Sequence, residues 1–220
     1  VRDSGPVVSA MNIRTGWNMA ADSRDVVVEL RGAGYNFGGH VHSAMGTFQV
    51  YYRGLLAADL GQYFHYGTEY DVEVAKRTVS KCGLLVYDPD EVFEVPGNEG
   101  GQWLCPMPES ISDLVLNRHL FVTGRTLHSA WGDGFAFYSL DLAPAYSPKV
   151  RSFVRNFVFL DLRSESTPAV LLVFDRVMSA EPQFRKHWQL TSLGEPVRTA
   201  DGVRVVEGGG ALDLGMLIPG

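Results

Sequence analysis

The segment Gly38-Gly39-His40-Val41-His42 carries the side chains best suited to chemistry in this chain. On an extended backbone, residues two apart point to the same side, so the two imidazoles can share a metal ion or a substrate. Asp59, at the end of a following strand, can approach them across a hairpin. A carboxylate with one or two imidazoles makes a partial shell for one divalent metal, Zn²⁺ first and Mn²⁺ or Ca²⁺ less readily. The remaining ligands must come from elsewhere; without them the histidines are a polar strand face bonded to neighbouring loops.

The other candidates are less specific. His65, His119, His128 and His187 have no partner at ligand spacing and read as surface or capped histidines. Tyr63, Tyr66 and Tyr70 form an aromatic turn around His65 that can stack on sugar rings or fill the edge of the core. A cupin shell needs a glutamate shortly after its histidine pair, and Ser43-Ala44-Met45-Gly46-Thr47 has none. Cys82 and Cys105 allow at most one disulfide, sit in no zinc-finger spacing, and leave the compartment open.

These residues must be positioned by strands. The apolar segments are short, rich in Val, Phe, Tyr and Leu, and bounded by Gly, Pro, Asn and Asp. The pattern predicts strands near Val26–Leu30, Thr47–Tyr52, Leu55–Asp59, Leu84–Tyr87, Ala136–Leu140, Val150–Leu162, Ala169–Asp175, Trp188–Ser192, Val203–Val206 and Leu212–Ile218. No long amphipathic helix competes with them. Gly54 turns the second of these into the third, and the Pro- and Gly-rich run from Val86 to Glu109 forbids a regular ladder and implies a long excursion. Many strands that each bury one face are accommodated by an all-β, two-layer antiparallel sandwich. With no repeat or linker, residues 1–220 read as a single domain.

Composition narrows the partners. The chain has 220 residues, 45 % hydrophobic and 20 % charged, with a net charge of −6. Its cations are scattered apart from a loose group at Lys149, Arg151 and Arg155, so no nucleic-acid footprint is expected. No apolar run reaches the roughly 18 residues that a membrane span needs, and no signal peptide is visible at the start.

Several segments in order resemble the C-terminal sandwich of the heparinase II/III-like polysaccharide lyases. Residues 35–42 with 46–54 resemble that family's HxHxDAG segment and the strand after it. Leu56-Ala57-Ala58-Asp59-Leu60-Gly61 is similar to LAxDSG, and Asn98-Glu99-Gly100-Gly101-Gln102 to an NDGGQ loop. Lys76-Arg77-Thr78-Val79, residues 84–91, 145–150, 155–160, 173–177, 184–190 and Glu195-Pro196 continue the match, which covers most of residues 11–220.

The resemblance implies half of an enzyme. A helical N-terminal α/α toroid, absent from these residues, would supply a catalytic tyrosine and further histidines. The sandwich would close the cleft over an acidic, uronate-containing polysaccharide cleaved by β-elimination in the periplasm or outside the cell. His40 would be catalytic, His42 and Asp59 metal ligands, and Tyr66 and Gln102 substrate contacts; a non-catalytic glycan-binding or domain-packing sandwich is the alternative. The pattern also departs from the family. Its aspartate in HxHxD is Ala44, its His-Asn pair is Lys81-Cys82, and two expected histidines are Tyr70 and Thr191. An ammonium at Lys81 cannot ligate a metal but can replace its charge beside Asp59.

Overall fold

The computed structural model describes residues 1–20, 22–37, 40–93, 97–103 and 107–217. Gly38, Gly39, Cys105 and the end of the last expected strand, Ile218, lie outside them. The chain is an all-β antiparallel sandwich. Strands β1 (Arg2–Asp3), β2 (Ala10–Arg14), β3 (Val27–Arg31), β4 (Phe48–Tyr51) and β5 (Leu55–Ala57) form one sheet in chain order. A short β6 (Gly83–Tyr87) follows, and then the meander β7 (Arg125–Gly132), β8 (Phe135–Asp141), β9 (Val150–Asp161) and β10 (Ala169–Ser179) forms the second sheet. Strand β11 (Arg185–Gln189) returns to pair with β6, and β12 (Val197–Arg198), β13 (Val203–Glu207) and β14 (Gly210–Leu214) make a separate ribbon.

Alternation explains the layers. In β9, Phe153, Phe157 and Phe159 are buried on one face together with Arg155, while Val154, Asn156 and Val158 between them are only partly buried, because successive side chains leave opposite faces of a strand. They meet Met11 and Ile13 of β2, Val28 and Leu30 of β3, and Phe48 and Val50 of β4 in one core that also takes Leu84 and Val86 of β6. Phe48 packs edge-on to Phe157 at 6.0 Å and lies 6.2 Å from Trp188 of β11, so the layers interlock through aromatic rings. Each such ring contributes about 1.5–3 kcal/mol by burial.

Every expected strand among the described residues is present, with small shifts at the ends; β10 runs on to Ser179, and β11 lies at Arg185–Gln189, mostly ahead of its expected place. Strands β1, β2, β7 and β12 lie outside the expectation. Strand β7 is an edge whose residues are mostly exposed, so hydrogen bonding to β8 defines it and no buried alternation betrays it. The helices are short, α1 (Gly5–Val8) and α2 (Ile111–Leu116), together with single turns of other helical type.

Candidate functional site

The candidate residues hang from the ends of the first sheet. The connection from β3 to β4 carries His40 and His42, and the connection after β5 carries Asp59 and the aromatic turn. At Gly46 the backbone turns with φ +70° and a Cβ would lie 2.3 Å from Leu142, so only glycine fits there.

The histidine pair is not on a strand. His40 adopts a left-handed conformation, φ +61°, which a non-glycine residue holds only when its surroundings impose it. The strand argument for two imidazoles on one side therefore does not apply, and Tyr63 joins them instead. His40 Nδ1 and the Tyr63 hydroxyl share a 2.6 Å hydrogen bond, and the two rings are nearly parallel. The ring of His42 stacks on Tyr63 as well, with centroids 5.9 Å apart. Tyr66, 69 % exposed, meets the edge of His40 at 5.1 Å.

Beneath this group lies a buried cation. Lys76 Nζ is 4.1 Å from the Tyr66 ring and 5.2 Å from the Tyr63 ring, and it donates to Asp71 Oδ2 at 2.9 Å. Cations over aromatic faces are held by the ring quadrupole, more firmly where water is excluded. Burial raises the Asp71 carboxyl, but the hydrogen bonds from Lys76 and from the Gly67 N–H outweigh it and leave the group below the usual carboxylate value. The turn from Gly61 to Lys76 is thus tied to its own lysine, and the tyrosines rest on it.

Asp59 is drawn elsewhere. Its Oδ1 accepts the Lys81 ammonium at 2.5 Å and the Gly61 N–H at 2.7 Å, and Lys81 also donates to the Ala75 carbonyl at 2.7 Å. The Lys81 side chain is wholly buried. Burial lowers its pKa while Asp59 opposes that shift. His42 Nδ1 is buried without a hydrogen-bond partner among the described residues. Burial first, then the charge of Lys81, holds His42 below the ordinary imidazole value, with Asp59 pulling the other way. Among the described residues no three His, Cys, Asp or Glu side chains come together. His42 and Asp59 with an ammonium beside them do not fit the shell of a divalent ion.

Gln102 is not free to meet a substrate. It is 2 % exposed, its Oε1 accepts the Met45 N–H at 2.8 Å, and its Nε2 donates to the Met45 carbonyl at 2.7 Å. The glutamine clamps the turn after the histidines as a strand neighbour would. Of the residues singled out from sequence, the structure therefore brings His40, His42 and Tyr66 together around Tyr63, sets Asp59 against Lys81, and buries Gln102 behind them. Tyr63 as the partner of His40, and Lys76 with Asp71 below, are additions from the fold. Tyr63 lies 23 residues from His40, and only a tertiary contact joins them.

No family model and no curated protein matches the chain. Among solved structures, a mutant of heparan sulfate lyase HepC from Pedobacter heparinus is similar, with a TM-score of 0.57 and 16 % identity over 90 % of this chain. The chain spans 26 % of that lyase. The likeness is distant and is one of fold. Among the described residues, no helix is long and apolar enough to cross a membrane.

Proposed function

We propose that this chain is the sandwich part of a polysaccharide lyase that cleaves uronate-containing acidic glycans by β-elimination. It works with a helical domain that closes over His40. The observation that carries the reading is the His40–Tyr63 hydrogen bond of 2.6 Å beside the exposed ring of Tyr66. The distant likeness in fold to a heparan sulfate lyase supports the substrate class.

In the elimination the C5–H and C4–O4 bonds break, a C4=C5 double bond forms, one proton goes to a base and one reaches the departing O4. With Nδ1 engaged by Tyr63, the Nε2 of His40 is the nitrogen left to meet a substrate. For Nε2 to accept a proton, Nδ1 must carry hydrogen and donate to the Tyr63 oxygen, a role the hydroxyl can fill, and in that arrangement it steadies the imidazolium that forms. Tyr66 offers a face on which a sugar ring stacks. The helical domain supplies the groups this wall lacks, and export beyond the cytoplasm belongs to the same proposal because polymeric glycans lie there.

A second reading is a non-catalytic sandwich that binds glycan or packs against its partner domain. The capture of Asp59 by Lys81 favours it, since the side chains around His42 then serve structure. The test is turnover by the complete protein, followed through the ultraviolet absorbance of the unsaturated product. His40→Ala should lower it by at least about 100-fold, as loss of an acid–base group does, with the melting temperature nearly unchanged. Normal turnover in that variant removes His40 from the mechanism. A wild-type protein that binds acidic glycan through Tyr66 but never cleaves it establishes the second reading.

A further inference from the structure

Four of the five positions that depart from the lyase pattern, Tyr70, Lys81, Cys82 and Thr191, are scattered in sequence but converge on Ala58-Asp59-Leu60; the fifth, Ala44, lies on the histidine connection. The Tyr70 hydroxyl donates to the Leu60 carbonyl at 3.1 Å. The Lys81 ammonium holds Asp59 Oδ1 at 2.5 Å. The Thr191 hydroxyl donates to the Ala58 carbonyl, and the Cys82 thiol lies 3.3 Å from that hydroxyl and 3.8 Å from the same carbonyl. Each of these side chains thus has a bonding partner on the segment or on a neighbour that touches it. Scattered, unrelated replacements would not be expected to fit one another in this way.

The space is also closed around the ammonium. A Cβ on Gly61 would stand 1.9 Å from Lys81 Nζ, 2.2 Å from the Ala75 carbonyl oxygen and 2.8 Å from Asp59 Oδ1. A glycine is needed for the chain to wrap the cation this tightly. A dication bonded to Asp59 and His42 would have to share this volume with a positive charge already in place, a repulsive arrangement in a setting with little solvent screening.

We infer that Lys81 is a built-in cation that takes the place of a divalent metal, and that with Tyr70, Cys82 and Thr191 it pins the end of β5 in a metal-independent sandwich. The ammonium supplies one positive charge where an ion would supply two, and the neutral hydroxyl and thiol donors replace further ligands. The inference stands on this buried geometry and not on any glycan activity, so a chain that failed every lyase assay would leave it intact.

The experiment is elemental analysis and thermal melting of the chain, purified from medium supplemented with Zn²⁺ and Mn²⁺. The wild type should carry far less than one equivalent of either metal, and EDTA should leave its melting temperature unchanged. Lys81→His should instead gain about one equivalent of Zn²⁺ through His42, Asp59 and the new imidazole. Zn²⁺ at 100 times the dissociation constant should then raise its melting temperature by roughly 5–10 °C. A wild-type equivalent of metal whose removal lowers the melting temperature overturns the inference, and so does a folded Lys81→His variant indifferent to Zn²⁺. If that variant does not fold, Lys81→Met decides. A lowered melting temperature that Zn²⁺ does not restore supports the inference, and wild-type melting overturns it.

Discussion

Arg155 faces inward from β9 between phenylalanines, and its replacement by methionine tests how the sandwich holds its functional turn. Its Nε and Nη2 donate to Asp175 of β10 at 2.8 and 2.6 Å, and Nη1 donates to the Gly46 carbonyl at 2.7 Å. The side chain is 1 % exposed and that of Asp175 14 %. Arg155→Met removes both ionic hydrogen bonds, leaves the Asp175 carboxylate in a poorly solvated place, and orphans the Gly46 carbonyl in the turn beyond His42. Breaking a buried pair from one side costs about 3–5 kcal/mol. With a urea slope of about 2 kcal/mol per molar, the unfolding midpoint should fall by roughly 2 M. Replacing both members by apolar residues, as in Arg155→Met with Asp175→Leu, should recover most of that loss, because the charge left unpaired causes it. Urea unfolding followed by tryptophan fluorescence reads all three proteins. A single variant whose midpoint lies within about 0.3 M of the wild type refutes the argument, and so does a double variant no more stable than the single one.

Two other outcomes follow from buried groups. Asp71 titrates below its ordinary 3.8 when folded, so its contribution is fully present above about pH 4 and is lost as the pH falls through the lower folded value. Asp71→Asn should be less stable at neutral pH and should flatten the dependence of melting temperature on pH below 4; an unchanged acid limb counts against the ion pair with Lys76. Burial raises the Cys82 thiol above its ordinary value, and the side chain is 1 % exposed. In a Cys105→Ser background it should therefore react with a thiol reagent only as fast as the protein unfolds, and labelling within seconds under native conditions would contradict its placement.

Much of the sandwich was legible because burial writes itself into long strands. Phe153, Phe157 and Phe159 alternate with half-exposed residues over most of β9, and Val28 and Leu30 do the same over the shorter β3. Strand β7 is silent because neither of its faces is well buried, and pairing to β8 leaves no mark in residue type. The site was legible in its parts and not in its geometry. The spacing of His40 and His42 suggested a shared side on a strand, but a left-handed φ at His40 removes the strand and Tyr63 does the joining. Gln102 lies in a loop resembling a glycan-contacting one, yet both ends of its amide are spent on the Met45 backbone. The pairing of Lys81 with Asp59 was readable because one residue type, an ammonium, stood where a ligand was expected.

A buried cation holds each of the loops that build the site. Arg155 holds the Gly46 turn, Lys81 the segment after β5, and Lys76 the aromatic turn. Arg77 takes Glu99 through two bonds of 2.9 and 2.7 Å, while Lys149 pairs with Glu91, and both cations lie against the ring of Phe93. A hydrophobic core is non-directional and would tolerate several positions for such loops. A buried ammonium or guanidinium does not, because any arrangement that fails to supply its partners leaves a charge desolvated and unpaired. The strained backbone of His40 needs surroundings of that kind. Its φ of +61° survives because the turn before β4 is fixed at Gly46 by Arg155 and at Met45 by Gln102, while Tyr63 fixes its ring from a turn anchored on Lys76. Loosening any one of these anchors should therefore move the imidazole before it unfolds the sandwich.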